Sequence, residues 1–400
     1  MTTNPPTHTA APATAGTVST AAGSARPSAR LVDQLRAAAR LPRPLLLTGG
    51  TFLLLISGGL IAATRAALTP DPRHAVPVSG DALRSGKTFH ALEAHLDANL
   101  PGRDALIATA NTARYLTVRG GTDEVRLGRD GWLFLTSEFA AHPQAQRRLT
   151  ARADLTAQLS RNLAARGVTL LVAVSPNKSR VQAAQLPGGA LPGWVDARQY
   201  ETYQAMLRAR GVATADLVTP MLAVAAKTAQ YYRTDTHWNQ DGARTAAQAT
   251  AQAVRTVAAD LPVSTFTTTH APETARPGDL LNLMGLQHVP DALRPHADRE
   301  ATETTLGSGA GGLLGAAPQV MLAGSSYGLR GNYAGALQEA LGSAVLNVSR
   351  EGADFSGSLR PALSDPAFLD SPPRVLIWEI PQRFLPLPLA GEDQRPFDVP

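Results

Sequence analysis

The sequence predicts an α/β protein with a mostly parallel, doubly wound sheet, set behind one N-terminal transmembrane helix. Three observations lead there. Beyond about residue 150, apolar runs of strand length alternate with longer stretches of helical periodicity, and strands that alternate with helices pair in parallel. An uncharged stretch from Pro44 to Thr64 lies between Arg43 and Arg65. Two motifs, one around Asp235 and His237 and one around Ser325 and Ser326, fall where such a sheet would hold a ligand.

Composition narrows the class. With 44% apolar and 17% charged residues the chain can bury a sizeable core. Its formal charge of +5 is concentrated at the start, where Arg26, Arg30, Arg36, Arg40 and Arg43 against Asp33 leave +4, so the remainder is close to neutral at +1. No basic patch interleaved with aromatic residues is present, which argues against nucleic acid as a partner. The absence of Cys excludes disulfides and thiolate metal sites.

Residues 1–43 read as a disordered, basic cytoplasmic arm, because the Ala, Thr, Pro, Ser and Gly that fill its first 25 or so positions bury too little to repay ordering. At about 1.5 Å per residue, 44–64 would cover roughly 32 Å, a bilayer core. A cleaved signal peptide and a buried core helix are the alternatives; the long leading arm and the length of the run count against both, while Ala62-Ala63 leaves cleavage open. The Arg residues before the helix put the N-terminus in the cytoplasm and the rest of the chain outside. Residues 65–85 read as a linker, 86–390 as the catalytic domain and 391–400 as a tail.

Within that domain Phe89, Leu92, Leu96 and Leu100 recur at helical spacing up to Pro101-Gly102. Val125 to Leu135 alternates around Asp130-Gly131 and predicts a hairpin. The pattern then predicts helices over about 151–166, 198–210, 242–258 and 333–341, and strands over 168–174, 212–217, 320–323, 344–348 and 375–380. Residues 262–317, rich in Gly, Pro and Thr, read as largely loop.

Ligands of an open parallel sheet bind beyond the carboxyl ends of its strands. The predicted strands deliver Asn177 and Lys178, Asp216, Ser325 with Ser326, and Glu379 to those ends. Strand ends are polar in any protein and Pro-Asn is ordinary turn chemistry, so each of these also has a structural reading. Asn177, Lys178, Ser325 and Tyr327 are the candidates for binding substrate or a developing oxyanion.

Asp235 and His237 are two residues apart, and in an extended segment both side chains point the same way. The carboxylate can then hold one ring nitrogen while the other faces a reactant. Without Cys, the nucleophile has to be a Ser on a sharp turn after a buried strand, and Gly324-Ser325-Ser326-Tyr327-Gly328 offers that turn. A Ser hydroxyl becomes nucleophilic when a neutral imidazole takes its proton and a buried carboxylate stabilises the imidazolium. A lone Asp-x-His also occurs as a satisfied surface pair; the strand-Gly-Ser-Ser turn gives this one its weight. A metal held by His237, Asp235 and Asp241 is disfavoured because the other His residues lack ligand spacing, and neither metal nor cofactor is expected.

Asp235-Thr236-His237-Trp238-Asn239, Gly324-Ser325-Ser326-Tyr327, Leu127-Gly128-Arg129-Asp130-Gly131-Trp132-Leu133-Phe134 and Val375-Leu376-Ile377-Trp378-Glu379-Ile380-Pro381 are together far more specific than any one of them. With Asn99-Leu100-Pro101-Gly102-Arg103-Asp104 and Pro176-Asn177-Lys178, they resemble the SGNH-hydrolase-like alginate O-acetyltransferases of the AlgJ/AlgX type over about 89–385. The resemblance implies a periplasmic enzyme of the inner membrane that moves acetyl groups onto an exported polysaccharide, with a membrane-bound O-acyltransferase as donor. It also implies Ser326 as nucleophile, His237 as base and Asp235 as the group orienting it. Because Asp-x-His precedes Ser by about ninety residues, the sheet is expected to be circularly permuted. The short stretch after Pro381 favours the AlgJ-like branch, and the near-neutral outer domain gives no support for a strongly polyanionic polymer. Two rivals remain: a carbohydrate acetyl esterase using the same three residues, and a non-catalytic scaffold of an export complex.

Overall fold

The structure, a computed structural model, describes residues 43–308 and 317–399; most of the expected arm lies outside the described residues. Two compact units divide the chain, 1–103 and 104–400. The first contains helices α1 (Arg43–Leu68), α2 (Gly80–Arg84) and α3 (Lys87–Asn99). Leu47–Leu68 of α1 is long and apolar enough to cross a membrane. Its Leu47, Phe52, Leu54 and Ile61 side chains are exposed, which a helix of a soluble core would not leave so. The α3 helix, expected to open the catalytic domain, groups instead with this unit: the His95 ring lies 3.1 Å from the Ala66 carbonyl and 2.9 Å from that of His74.

The second unit begins within α4 (Arg103–Val118), which the sequence reading missed because only its Tyr115 is buried and no apolar stripe announces it. Strands β1 (Val125–Leu127) and β2 (Leu133–Leu135) form the predicted hairpin, Val125 facing Leu135. Asp130 and Gly131 sit between them at φ of 49° and 77°, left-handed conformations that this dipeptide adopts at low cost.

Five strands make the central sheet: β3 (Thr169–Ser175), β4 (Ala213–Ala215), β9 (Val320–Ala323), β10 (Val345–Asn347) and β11 (Val375–Pro381), all parallel, in the order β10-β9-β11-β3-β4. Counted from β9 onward this is the order 2-1-3-4-5 of a flavodoxin-like sheet. The chain enters that sheet at its fourth strand, which is the expected circular permutation. Helices α5 (Ala145–Ala164), α6 (Lys178–Val181), α7 (Gln199–Ala209), α8 (Val218–Ala225), α9 (Gln240–Val257), α10 (Asp279–Leu283), α11 (Tyr333–Leu341), α12 (Leu359–Leu363) and α13 (Pro366–Asp370) complete the unit.

Both faces of the sheet are covered, and the strands are apolar on both sides as a result. Leu170, Val172 and Val174 of β3 join Leu376, Trp378 and Ile380 of β11 in one core with α5 and α7. Leu171, Ala173, Val375, Ile377, Val320 and Leu322 face the other, with α9 and α11. Fully burying each large aliphatic contributes about 1.5–3 kcal/mol, so these central strands carry much of the burial that stabilises the unit. On α9, Ala243, Ala246, Ala247 and Ala251 line the packed face and let the helix approach closely; Thr250 there bonds the Tyr333 hydroxyl at 2.9 Å.

The segment 262–317 departs from the reading as loop. It contains β5 (Thr265–His270) paired antiparallel with β8 (Glu303–Ser308), β6 (Thr274–Arg276) paired with β7 (Asp298–Glu300), and α10. Thr-rich strands with exposed faces gave no apolar alternation to read.

Candidate active site

Ser326 leaves the carboxyl end of β9 at the sheet's switch point, beside β11. The turn is built by its neighbours. Ser325 caps the 3-10 turn Ser326–Leu329 by accepting from the Tyr327 N–H at 3.2 Å, and its own hydroxyl and N–H both donate to Glu379 Oε2, at 2.8 and 2.6 Å. Glu379 Oε1 accepts from the Ser175 hydroxyl at 2.5 Å, so one buried carboxyl ties the ends of β3, β9 and β11 together. Only glycine fits before Ser325: a Cβ on Gly324 would lie 2.8 Å from Glu379 Oε2 and 2.9 Å from its Cβ.

Asp235 and His237 lie in the loop before α9, closed by an antiparallel bridge between Tyr231 and Trp238. Asn239 caps α9 through the Gly242 N–H at 2.9 Å. The pair does not meet through strand alternation, as the spacing suggested. Asp235 Oδ1 accepts from the His237 backbone N–H at 2.9 Å in an Asx-type turn, and the same oxygen lies 2.6 Å from Nδ1. His237 Nε2 then stands 2.7 Å from Ser326 Oγ. An ionised carboxylate can only accept, so Nδ1 carries the ring proton and Nε2 accepts from the Ser326 hydroxyl. His237 and Ser326 are 6% and 7% exposed, dry enough to strengthen these contacts yet still open to a reactant.

Two residues that the sequence reading missed complete the surroundings of Asp235. Its Oδ2 accepts from Arg276 Nη1 at 2.9 Å and from the Asp279 N–H at 3.2 Å. Asp279 in turn accepts from the N–H of Thr236 at 2.7 Å and from its hydroxyl. Both come from the segment read as loop; the one local signal was Gly278, where a Cβ would lie 2.1 Å from the Thr234 carbonyl. Burial raises the Asp235 carboxyl, but the hydrogen bond and charge of His237 together with the Arg276 guanidinium outweigh it and hold the group well below the usual carboxylate range.

The remaining candidates are occupied elsewhere. Lys178, expected at substrate or oxyanion, is 1% exposed and donates to the carbonyls of Arg233 and Asp235, each at 2.9 Å, beneath the Trp132 and Phe134 rings. Burial pulls its ammonium down to about 8, against the opposing charge of Asp235. Ser325 is committed to Glu379, and the Tyr327 hydroxyl donates to the Thr236 carbonyl at 2.9 Å, so both shape the site from behind. Asn177 donates its N–H to Gln382 and lines a cavity with Glu138, Gln382 and Arg383, which neither His237 nor Ser326 reaches. Asp216 caps α8 through Val218 and Thr219.

Asp235, His237 and Asp279 bring ligand-type atoms close together. The Arg276 cation already occupies Asp235 Oδ2 and Thr236 occupies Asp279, so the donor set suits hydrogen bonding rather than a second cation. Asp241 pairs with Arg244 at 2.9 Å on the surface of α9 and takes no part.

A five-stranded parallel sheet in the order 2-1-3-4-5 with helices on both faces is the architecture of an SGNH-hydrolase-like domain. The chain belongs to the family of the SGNH hydrolase-like domain of acetyltransferase AlgX, whose family model matches residues 125–382. It is 34% identical over 335 residues to the probable alginate O-acetylase AlgJ of Pseudomonas aeruginosa, covering 79% of this chain and 84% of that protein. Among solved structures, the O-acetyltransferase domain of Pseudomonas putida AlgJ superposes with a TM-score of 0.59 at 32% identity, over 66% of this chain and 92% of that domain. Pseudomonas aeruginosa AlgX superposes with a TM-score of 0.50 at 25% identity, over 64% of this chain and 62% of the other.

Proposed function

We propose that this protein transfers acetyl groups onto hydroxyls of an exported polysaccharide through an acetyl-Ser326 intermediate. The observation that carries the reading is the unbroken contact from Asp235 through His237 to Ser326 in a chain of this family. Ser326 Oγ attacks the donor's acetyl carbonyl while His237 Nε2 takes its proton; the leaving group departs with that proton. A sugar hydroxyl then gives its proton to Nε2 and attacks the acetyl-serine, and Ser326 regains its hydrogen. Asp235 fixes the ring and stabilises the imidazolium in both halves.

A membrane-bound O-acyltransferase is the proposed donor, and the span Leu47–Leu68 would hold this chain at the same membrane with its catalytic unit on the outer side. The test is incubation of the solubilised full chain with an activated acetyl ester and an oligosaccharide. Acetyl on Ser326 by mass spectrometry, followed by acetylated oligosaccharide, is the expected result. Free acetate alone would make the protein an esterase, and no acyl-enzyme at all would leave a scaffold.

A further inference from the structure

The groups around His237 do more than form a line of three. Asp235 is gripped by four donors: the His237 N–H and Nδ1 on one oxygen, Arg276 Nη1 and the Asp279 N–H on the other. Arg276 is itself held. Its Nε lies 2.9 Å from Glu300 Oε2, and its guanidinium stacks 4.1 Å from the centre of the Tyr232 ring. β6 and β7, which pair Ala275 with Arg299, bring Arg276 and Glu300 together, and neither strand belongs to the central sheet.

A carboxylate that bonds only to a histidine gives its full charge to the imidazolium. Here a second cation shares it. We propose that Arg276, backed by Glu300, is a positioning residue that acts on His237 through the outer oxygen of Asp235. It fixes the plane of the carboxylate and offsets part of its charge, so that His237 stays a neutral base to lower pH than an unshared aspartate would allow. The proposal rests on the acetyl-transfer reading given above.

Other charged groups face the ring and bear on the same balance. Asp279 Oδ2 lies 3.7 Å from Nδ1 and favours the imidazolium, and Lys178, below Asp235, opposes it. Asp298 is held by Thr234 and the Arg233 N–H, and Tyr327 presents its neutral ring 5.0 Å from the imidazole. All of these residues are retained in variants of Arg276 and Glu300. Coulomb interaction across two hydrogen bonds at an effective dielectric between protein and water predicts shifts of about half a pH unit to one unit.

The experiment is the pH dependence of Ser326 acylation by an activated acetyl ester, measured on the detergent-solubilised full chain. Arg276→Gln should move the acid limb up by about half a unit to one unit, with roughly a tenfold loss on the plateau. Arg276→Lys keeps the charge and should leave the limb near wild type. Glu300→Gln leaves Arg276 less neutralised and should move the limb the opposite way, downward. A merely structural role would lower the plateau without moving the limb, or would move it alike in both Gln variants; either result overturns the proposal. Should Arg276→Gln not fold, Glu300→Gln decides alone, an unmoved limb counting against it. Absence of acylation in the wild-type chain would remove the functional reading instead, and NMR titration of the His237 ring in the same variants would still show whether Arg276 sets its ionisation.

Discussion

Ser326 Oγ and His237 Nε2 stand 2.7 Å apart across 89 residues of sequence. The serine is placed by β9 and the histidine by the loop that closes ahead of α9. Their meeting depends on how α9 and the turn after β9 lie on the same side of the sheet. Tyr327 locks the two pieces together: its hydroxyl donates to the Thr236 carbonyl and its ring packs 4.9 Å from Trp238, while Trp238 Nε1 donates to the Arg330 carbonyl.

Each of Ser326→Ala, His237→Ala and Asp235→Ala should fold and lose nearly all transfer. In comparable triads the loss is on the order of 10⁴ to 10⁶, the residue coming from binding and the oxyanion site. The losses should not add, because without the nucleophile the other two have nothing to activate. Steady-state acetyl transfer by the three single variants and the triple variant checks this; additive losses would break the assignment.

Ser325→Ala removes a hydroxyl that bonds Glu379 and the Tyr327 N–H, yet its backbone N–H still reaches Glu379. A loss of about tenfold or less is expected, a little over 1 kcal/mol of barrier. Gly324→Ala is different, since its Cβ would push against Glu379 on a buried strand end. Transfer by this variant should fall about a hundredfold or more through displacement of the turn. A Gly324→Ala enzyme as active as Ser325→Ala would show that Glu379 does not hold the nucleophile in place.

The sheet was readable because its strands are buried on both faces: Thr169–Ser175, Val320–Ala323 and Val375–Pro381 are unbroken runs whose length and flanking turns match strands. The meeting of Asp235, His237 and Ser326 could be expected because the proposed chemistry requires all three together. Arg276 and Asp279 were not. Their importance lies in one contact each to Asp235, made possible by the close approach of Gly278 to Thr234, and pattern does not encode such a contact. Lys178 shows the converse. Its type and position at a strand end suggested contact with a ligand, and burial gave it two carbonyls instead.

The topology prediction follows from α1. With Leu47–Leu68 spanning the membrane and Arg residues ahead of it, protease added to spheroplasts should digest the chain beyond about Thr69 and spare the N-terminal arm. Immunoblotting with antibodies to each end reads the result. Protection of the catalytic unit would reject the orientation.

Lys178 also makes a pH prediction. Its folded pKa of about 8 lies below the ordinary 10.5, mainly because burial disfavours the charge. The group is depressed in the folded state, so between those values the unfolded chain holds the extra proton, and its contribution to stability rises as pH climbs through that window. Lys178→Met keeps the volume and removes the titration. It also leaves the Asp235 carbonyl without its donor, at about 1–3 kcal/mol, whereas the Arg233 carbonyl keeps the Leu133 N–H. Relief of the buried charge offsets that loss at pH 7, so the variant should lie near wild type there and fall behind it as pH approaches 10, by an amount on the order of 1–3 kcal/mol. Urea unfolding of both proteins at matched pH values measures the difference, in which titrations common to the two cancel. A gap that narrows above pH 8 would mean that the ammonium is stabilised in its pocket rather than strained by it.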